Sequence, residues 1–168
     1  MQFAARDYRT MQPISVRIEN GRIAMVEPLS DHAETLPIVA PAFFDLQING
    51  YGGTWFGQPE ITAQQVLETL RAHYQFGITR MFPTLITNSR ENLIGGFRAI
   101  REACESEAWA ARLVAGCHLE GPYLSAEDGP RGAHPTEHIR PADWEEFEEI
   151  QEASGGRIKL VTVAPEVE

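Results

Sequence analysis

Apolar and polar positions alternate near the start of the chain in the manner of β-strands. Between residues 14 and 18 every second residue is Ile or Val, and an apolar pattern returns after Asn20-Gly21. An Asn-Gly pair readily supplies the two positive-φ positions of a type I′ turn, so this segment predicts a β-hairpin. After a polar stretch around residues 30–35, residues 36–40 predict another short strand. We therefore expect residues 1–40 to form a small β layer.

From residue 41 the pattern changes to strands alternating with helices. Continuous apolar runs predict four strands, at residues 42–46, 78–82 (stopped by Pro83), 113–119 and 158–163. Helical spacing of apolar residues predicts three helices. The first is opened by a capping box at Thr62 and Gln65 and closed by Gly77, and the second is capped by Asn88 and runs to about Ala111. The third is opened by Pro141-Ala142-Asp143 and closed by Gly155-Gly156.

Regular alternation of strands and helices predicts an α/β fold with a parallel sheet and helical crossovers. Both an open doubly wound sheet and part of a (β/α)₈ barrel fit this order. A complete barrel takes roughly 250 residues, whereas 128 follow residue 40. A barrel would therefore be represented here by half of its strands.

Composition narrows the functional classes. The chain has 24 acidic and 14 basic side chains, a formal net charge of −10, which excludes an electrostatic nucleic-acid binder. No apolar run is long enough for a membrane span, and Arg6, Asp7 and Arg9 stand where a signal peptide would be apolar. Two cysteines, Cys104 and Cys117, indicate no disulfide framework. These features predict a cytoplasmic protein without a membrane or nucleic-acid partner.

Polar residues follow the predicted strands at their carboxyl ends, where parallel α/β folds collect their reactive groups. Gln47 and Asn49 follow the first strand, and His118 and Glu120 end the third. Alternation along an extended chain places the members of each pair on one face. The four side chains are therefore expected to line one cavity.

Glu120 is the most informative of these residues. It follows an apolar run and so should lie at the rim of the core, where an ionised carboxylate needs a cation or strong donors beside it. A metal ion would meet that need, and so would backbone N–H groups or an arginine. His118 taken alone is more typical of a hydrogen-bonded structural histidine than of a metal ligand.

Four segments in order carry a family resemblance: residues 41–53 (PAFFDLQINGYGG), 82–87 (FPTLIT), 118–124 (HLEGPYL) and 163–166 (VAPE). They resemble the N-acetylglucosamine-6-phosphate deacetylases of the amidohydrolase superfamily. The resemblance implies a metal-dependent hydrolase that cleaves the linear amide of N-acetylglucosamine 6-phosphate in amino-sugar catabolism. It also implies that residues 41–168 form the N-terminal half of a (β/α)₈ barrel, that residues 1–40 belong to a small β-sandwich, and that the full-length form is a homodimer or higher oligomer.

The same resemblance assigns roles residue by residue. Glu120 matches the carboxylate ligand of one divalent metal ion, with Zn²⁺ the first choice, and Ala133 and His134 match a loop that contacts the sugar. Gln47 and Asn49 stand where many amidohydrolases carry a His-x-His pair for a second metal. Amides are poor replacements for imidazole ligands, which favours a single-metal site that these two side chains border.

The remaining parts of the family's site lie on later strands. Two histidine ligands and the general-base Asp would follow residue 168, so we expect a partial chain that is inactive alone, with unpaired strand edges and an uncovered apolar face. Such a chain should self-associate or need a complementing half. Two alternatives stay open: a non-catalytic sugar-phosphate-binding remnant of the same family, and an open α/β fold of unrelated function.

Overall fold

The computed structural model describes residues 1–30 and 35–167. The chain divides into two compact units, Met1–Pro41 and Ala42–Glu168. Most of the polar stretch noted around residues 30–35 lies outside the described residues. Among the helices that are described, none has both the length and the apolar character required to cross a bilayer.

The first unit is a four-stranded sheet in the order β3-β2-β1-β4. Its strands are β1 (Gln2–Asp7), β2 (Pro13–Glu19), β3 (Arg22–Pro28) and β4 (Ile38–Val39). β2 pairs with both β1 and β3 in antiparallel fashion, and β4 runs parallel to β1. Asn20 and Gly21 have φ values of 52° and 72°, which confirms the predicted hairpin turn.

The second unit is built on a four-stranded parallel sheet in the order β10-β9-β8-β5. Its strands are β5 (Phe43–Ile48), β8 (Ile78–Ile86), β9 (Cys117–Glu120) and β10 (Ile158–Thr162). Each strand pairs with its neighbour in chain order, without the reversal that marks a doubly wound sheet. After β5, the glycine-rich segment forms a small hairpin of β6 (Gly50–Tyr51) and β7 (Thr54–Trp55).

Among the described residues, four α-helices accompany this sheet, one more than the sequence predicts. They are α1 (Ala63–Tyr74), α2 (Arg90–Ser106), α3 (Ala108–Leu113) and α4 (Trp144–Ala153). The capping box at Thr62 and Gln65 is present, and Asp143 caps α4, which begins where the sequence predicts a helix opened by Pro141-Ala142-Asp143. Gly77, three residues past α1, has a φ of +76°, a conformation that favours glycine.

Several predicted boundaries are wrong. The second strand continues through Pro83 to Ile86, because the β5–β8 ladder is irregular beside this proline and tolerates its missing N–H group. Ser89, not Asn88, caps α2, since the Asn88 side chain is bonded to the Gly57 carbonyl instead. The helix predicted to reach Ala111 breaks at Glu107, which is extended.

The break at Glu107 also corrects the third strand. After it the chain makes the separate helix α3, so Leu113 ends a helix and the strand predicted from that residue begins only at Cys117. The buried side of α3, with Ala110 and Leu113, belongs to the same core as the sheet. An apolar run alone does not distinguish a buried helical turn from a strand.

The core of the second unit lies on one face of its sheet. Met81, Leu85 and Leu119 are fully buried, as are Leu70 of α1 and Phe97 of α2, in a single apolar cluster. Because side chains alternate along a strand, the residues between them point to the opposite face. That face carries Thr84, His118 and Glu120.

Candidate functional site

Glu120 lies where the sequence predicts it, at the carboxyl edge of the parallel sheet. It is the last residue of β9 and is in register with Ile86 of β8 and Thr162 of β10. Only 19% of its side chain is exposed, and the carboxylate Oε1 lies 3.8 Å from His134 Nε2. The carboxylate therefore faces another candidate site residue rather than open solvent.

His134 reaches this position from the long loop between β9 and α4. Its ring has a partner on each side, with Nδ1 2.9 Å from Thr87 Oγ1 and Nε2 near Glu120. Ala133, beside it in the chain, is exposed. The loop thus brings a nearly buried imidazole to the end of β9, close to a carboxylate.

His118 is two residues before Glu120 and is 2% exposed. Its Nε2 lies 2.8 Å from Thr162 Oγ1, and its Nδ1 lies 3.5 Å from Thr84 Oγ1. Burial lowers the pKa of His118 below its ordinary value, so the imidazole is uncharged at neutral pH. These contacts agree with a structural histidine bridging three strands.

Asn49 and Gln47 differ in their surroundings. Asn49 Nδ2 donates a long hydrogen bond of 3.5 Å to the carbonyl of Thr84, and Thr84 pairs with His118 in the register of the sheet. Gln47 has an exposed side chain, and the irregular pairing between Asp45 and Ile48 interrupts the strict alternation expected here. The proposed role of Gln47 in lining the site stays a prediction.

The donor atoms present do not complete a metal site. Within residues 1–30 and 35–167, no group of three or more His, Cys, Asp or Glu side chains is arranged to hold a metal ion. Glu120 and His134 offer one carboxylate oxygen and one imidazole nitrogen, whereas zinc sites have three or four protein ligands. The described residues therefore do not fit a bound metal by themselves.

A partly buried ionic network that the sequence did not reveal holds the loop carrying His134. The Arg140 guanidinium binds both carboxylate oxygens of Glu146, with Nη2 2.7 Å from Oε1, and Glu146 accepts a hydrogen bond of 3.1 Å from the Tyr123 hydroxyl. Burial, aided by the Glu146 charge, raises the pKa of Tyr123, so the phenol remains protonated. Arg140 also donates to the Asn88 carbonyl.

Thr87 is another residue that the sequence analysis did not identify as a candidate site residue. It directly follows β8, is 1% exposed, and bonds to His134 across 47 positions of the chain. Its place at the end of an apolar strand was a usable signal, because the other candidate side chains were found by the same criterion. The bond to His134 could not be predicted in this way, because His134 lies on a distant loop and the spacing of nearby residues does not indicate such a contact.

Comparison with known proteins gives a consistent result. No protein-family model matches the chain. The N-acetylgalactosamine-6-phosphate deacetylase of Shewanella sp. is 38% identical over 128 residues, covering 74% of this chain and 30% of that protein. The N-acetylglucosamine-6-phosphate deacetylase of Bacillus subtilis is 35% identical over 163 residues, covering 90% of this chain and 40% of that protein. The chain thus spans well under half the length of these relatives.

Solved structures agree over nearly the whole chain. The N-acetylglucosamine-6-phosphate deacetylase of Thermotoga maritima matches with a TM-score of 0.78 at 28% identity, covering 100% of this chain and 43% of that one. A mutant of the Mycobacterium smegmatis deacetylase in complex with N-acetyl-D-glucosamine-6-phosphate matches with a TM-score of 0.72 at 26% identity, covering 99% and 44%. Sequence and structure together identify this chain as a homologue, over most of its own length, of the N-acetylglucosamine-6-phosphate deacetylases.

Proposed function

We propose that the protein containing this chain removes the acetyl group from N-acetylglucosamine 6-phosphate, a linear amide, in amino-sugar catabolism. The observation that carries the proposal is the meeting of Glu120 and His134, 3.8 Å apart at the carboxyl edge of a parallel sheet. This is the edge at which α/β enzymes bind their substrates. The sugar phosphate in a homologous structure supports the same substrate class.

The architecture proposed with this function is the N-terminal half of a (β/α)₈ barrel over residues 41–168, after a β-sandwich segment at residues 1–40. The sequential strand order supports a barrel wall, since barrel strands pair with their neighbours in chain order. β5 and β10 each have one partner strand among the described residues. Further strands would add at these edges.

The proposed site is shared between this chain and residues outside it. Glu120 would supply one ligand of a single divalent ion, with Zn²⁺ the first candidate, and Ala133 and His134 would contact the sugar. Asn49, Gln47 and His118 would line the cavity. The remaining ligands and the general-base Asp are not among the described residues, so the chain alone is proposed to be inactive. A cytoplasmic location and a homodimeric or larger full-length form belong to the same proposal.

A fusion protein tests this function. This chain is joined to the remaining part of the Bacillus subtilis relative, and acetate release from N-acetylglucosamine 6-phosphate is measured together with the bound metal. The expected result is activity in the fusion and none in the chain alone. Glu120→Gln should lower metal content and activity together, because a neutral amide replaces a charged ligand.

Glu105→Gln is the matched control for the fusion, since it changes an exposed carboxylate on α2 that lies outside the proposed site. Full activity in Glu120→Gln would remove Glu120 from the site. A folded, metal-loaded fusion that releases no acetate would contradict the deacetylase proposal.

A sugar-phosphate-binding remnant is the second candidate, favoured by the incomplete ligand set among the described residues. It predicts that the isolated chain binds N-acetylglucosamine 6-phosphate in calorimetric titrations without hydrolysing it, and that His134→Ala weakens this binding. The coding sequence downstream separates the two. Continuation into strands bearing two histidines and an Asp supports the enzyme, whereas a genuine stop followed by unrelated sequence supports the remnant.

A further inference from the structure

The end of strand β8 holds the loop of His134 at two points. Thr87 Oγ1 lies 2.9 Å from His134 Nδ1, and the carbonyl of the next residue, Asn88, accepts a hydrogen bond of 3.0 Å from Arg140 Nη1. Neighbouring residues on one strand end thus contact the loop at positions six residues apart. Such a two-point attachment restricts both the path of the loop and the orientation of the imidazole.

The Thr87 hydroxyl is itself held in place by close packing. Thr87 is 1% exposed, and a Cβ atom at Gly121 would lie only 2.2 Å from its Oγ1. Gly121 directly follows Glu120 in the chain and has a φ of +80°. Because it has no Cβ atom, it leaves the space that the Thr87 hydroxyl occupies. The hydroxyl is fixed between the residue that follows Glu120 and the ring of His134.

The surroundings of the ring distinguish its two nitrogens. Nε2 faces the Glu120 carboxylate at 3.8 Å, and the negative charge favours a proton on that nitrogen. In the neutral ring Nδ1 is then an acceptor, for which the Thr87 hydroxyl is the donor within reach. When both ring nitrogens have ordered partners, the two contacts together fix the tautomer and the orientation of the imidazole.

We propose that Thr87 is a positioning residue that donates its hydroxyl proton to Nδ1 of His134 and holds the ring with its Nε2–H group directed toward Glu120. His134 then presents its Nε2–H group at the strand ends, suited to an acceptor oxygen of a ligand. The use of that donor by a sugar rests on the proposed deacetylase function. The role of Thr87 does not, because it is defined by the ring of His134 in the free protein.

The test is NMR spectroscopy of the 168-residue chain labelled with ¹⁵N-histidine, at mildly alkaline pH and without substrate or metal. His134 signals are assigned by their loss in His134→Gln. If the chain self-associates, the same signals are recorded by magic-angle spinning. The wild type should show the Nε2–H tautomer with a hydrogen-bonded Nδ1. A protonated Nδ1 would overturn the proposal.

Two substitutions of Thr87 isolate the hydroxyl. Thr87→Val keeps the shape and removes the donor, so the Nδ1 resonance should shift to that of an unbonded nitrogen. Thr87→Ser restores the donor and should return the resonance to its wild-type position. Unchanged His134 signals in a folded Thr87→Val chain would contradict the proposal. If Thr87→Val does not fold, the wild-type tautomer and the Thr87→Ser spectrum test the proposal in its place.

Thr162→Val is the matched control, because it removes the hydroxyl bonded to His118 Nε2 and should shift the His118 signals alone. A shift of His134 in this control would indicate a general loosening of the sheet and would overturn a specific role of Thr87. Failure of the fusion to release acetate would leave these spectra unaffected. The two proposals are therefore contradicted by different measurements.

Discussion

The two faces of the parallel sheet in the second unit differ in what covers them. On the helix-covered face, Met81, Leu85 and Leu119 are fully buried. On the other face, which also carries the polar residues of the candidate site, Phe44 remains 49% exposed and Leu160 39% exposed. Because buried apolar area is the main source of folding free energy, stability should depend on the first face. Chemistry and association should depend on the second.

The largest expected difference is between two identical substitutions on opposite faces. Leu119→Ala removes a fully buried side chain and should lower the free energy of unfolding by about 2–5 kcal/mol, through lost burial and a cavity. Leu160→Ala removes a side chain that is already 39% exposed and should cost less than about 1.5 kcal/mol. Urea unfolding followed by circular dichroism measures both. Equal losses would contradict the difference between the faces.

A smaller effect is expected from the network that anchors the loop. Arg140→Met leaves the Glu146 carboxylate, whose side chain is 7% exposed, with the Tyr123 hydroxyl as its side-chain partner. We expect a loss of about 1–3 kcal/mol in the same unfolding measurement, because a buried charge loses its counterion.

The matched control is Arg90→Met, which breaks the ion pair between Arg90 of α2 and Glu149 of α4, the helix that also carries Glu146. Those side chains are 54% and 45% exposed, so the loss should stay below about 1 kcal/mol. An Arg140→Met protein as stable as the Arg90→Met protein would show that the network does not stabilise the loop.

Local signals explain which parts of the fold could be predicted from the sequence. The Asn20-Gly21 turn and the Thr62–Gln65 capping box are set by residues a few positions apart, and both are confirmed. The extension of β8 through Pro83 could not be predicted, because it depends on irregular pairing with a distant strand. Tertiary pairing overrides the local signal at that proline.

The candidate site shows the same division. Glu120 was found because a charge follows an apolar run, and the matched loop motif indicated His134. Thr87 was missed because its partner His134 lies 47 positions away, and the contact between Tyr123 and Glu146 was missed because these residues are 23 positions apart. Contacts at such separations are made by the fold and leave no periodic pattern in the sequence. Spacing therefore predicts the strand ends but not the hydrogen bonds between them.

The open face should also control association. We expect the isolated chain to self-associate, because β5 and β10 each have a free edge among the described strands and Phe44 of β5 is exposed. Size-exclusion chromatography with light scattering over a dilution series measures this. Phe44→Lys should weaken association by about tenfold, the equivalent of about 1.4 kcal/mol of lost apolar burial.

Trp144→Lys is the control for association, because it changes an equally prominent aromatic side chain, 68% exposed, on helix α4 rather than on the open face. It should have a smaller effect than Phe44→Lys. A clean and stable monomer of the unmodified chain at all concentrations would contradict the expectation that its open face and strand edges drive association.

The smallest expected effect is that of added metal on the isolated chain. Glu120 and His134 provide two donor groups where a zinc site needs three or four, so Zn²⁺ should bind weakly. At ion concentrations no higher than the dissociation constant, the stabilisation stays below about 0.5 kcal/mol, or about 2 °C in melting temperature for a domain of this size. Thermal unfolding monitored by circular dichroism across a Zn²⁺ titration, in the wild type and in Glu120→Ala, measures this. A large, saturable rise that Glu120→Ala abolishes would contradict this expectation, because it would mean that the open face of this chain completes a metal site by itself.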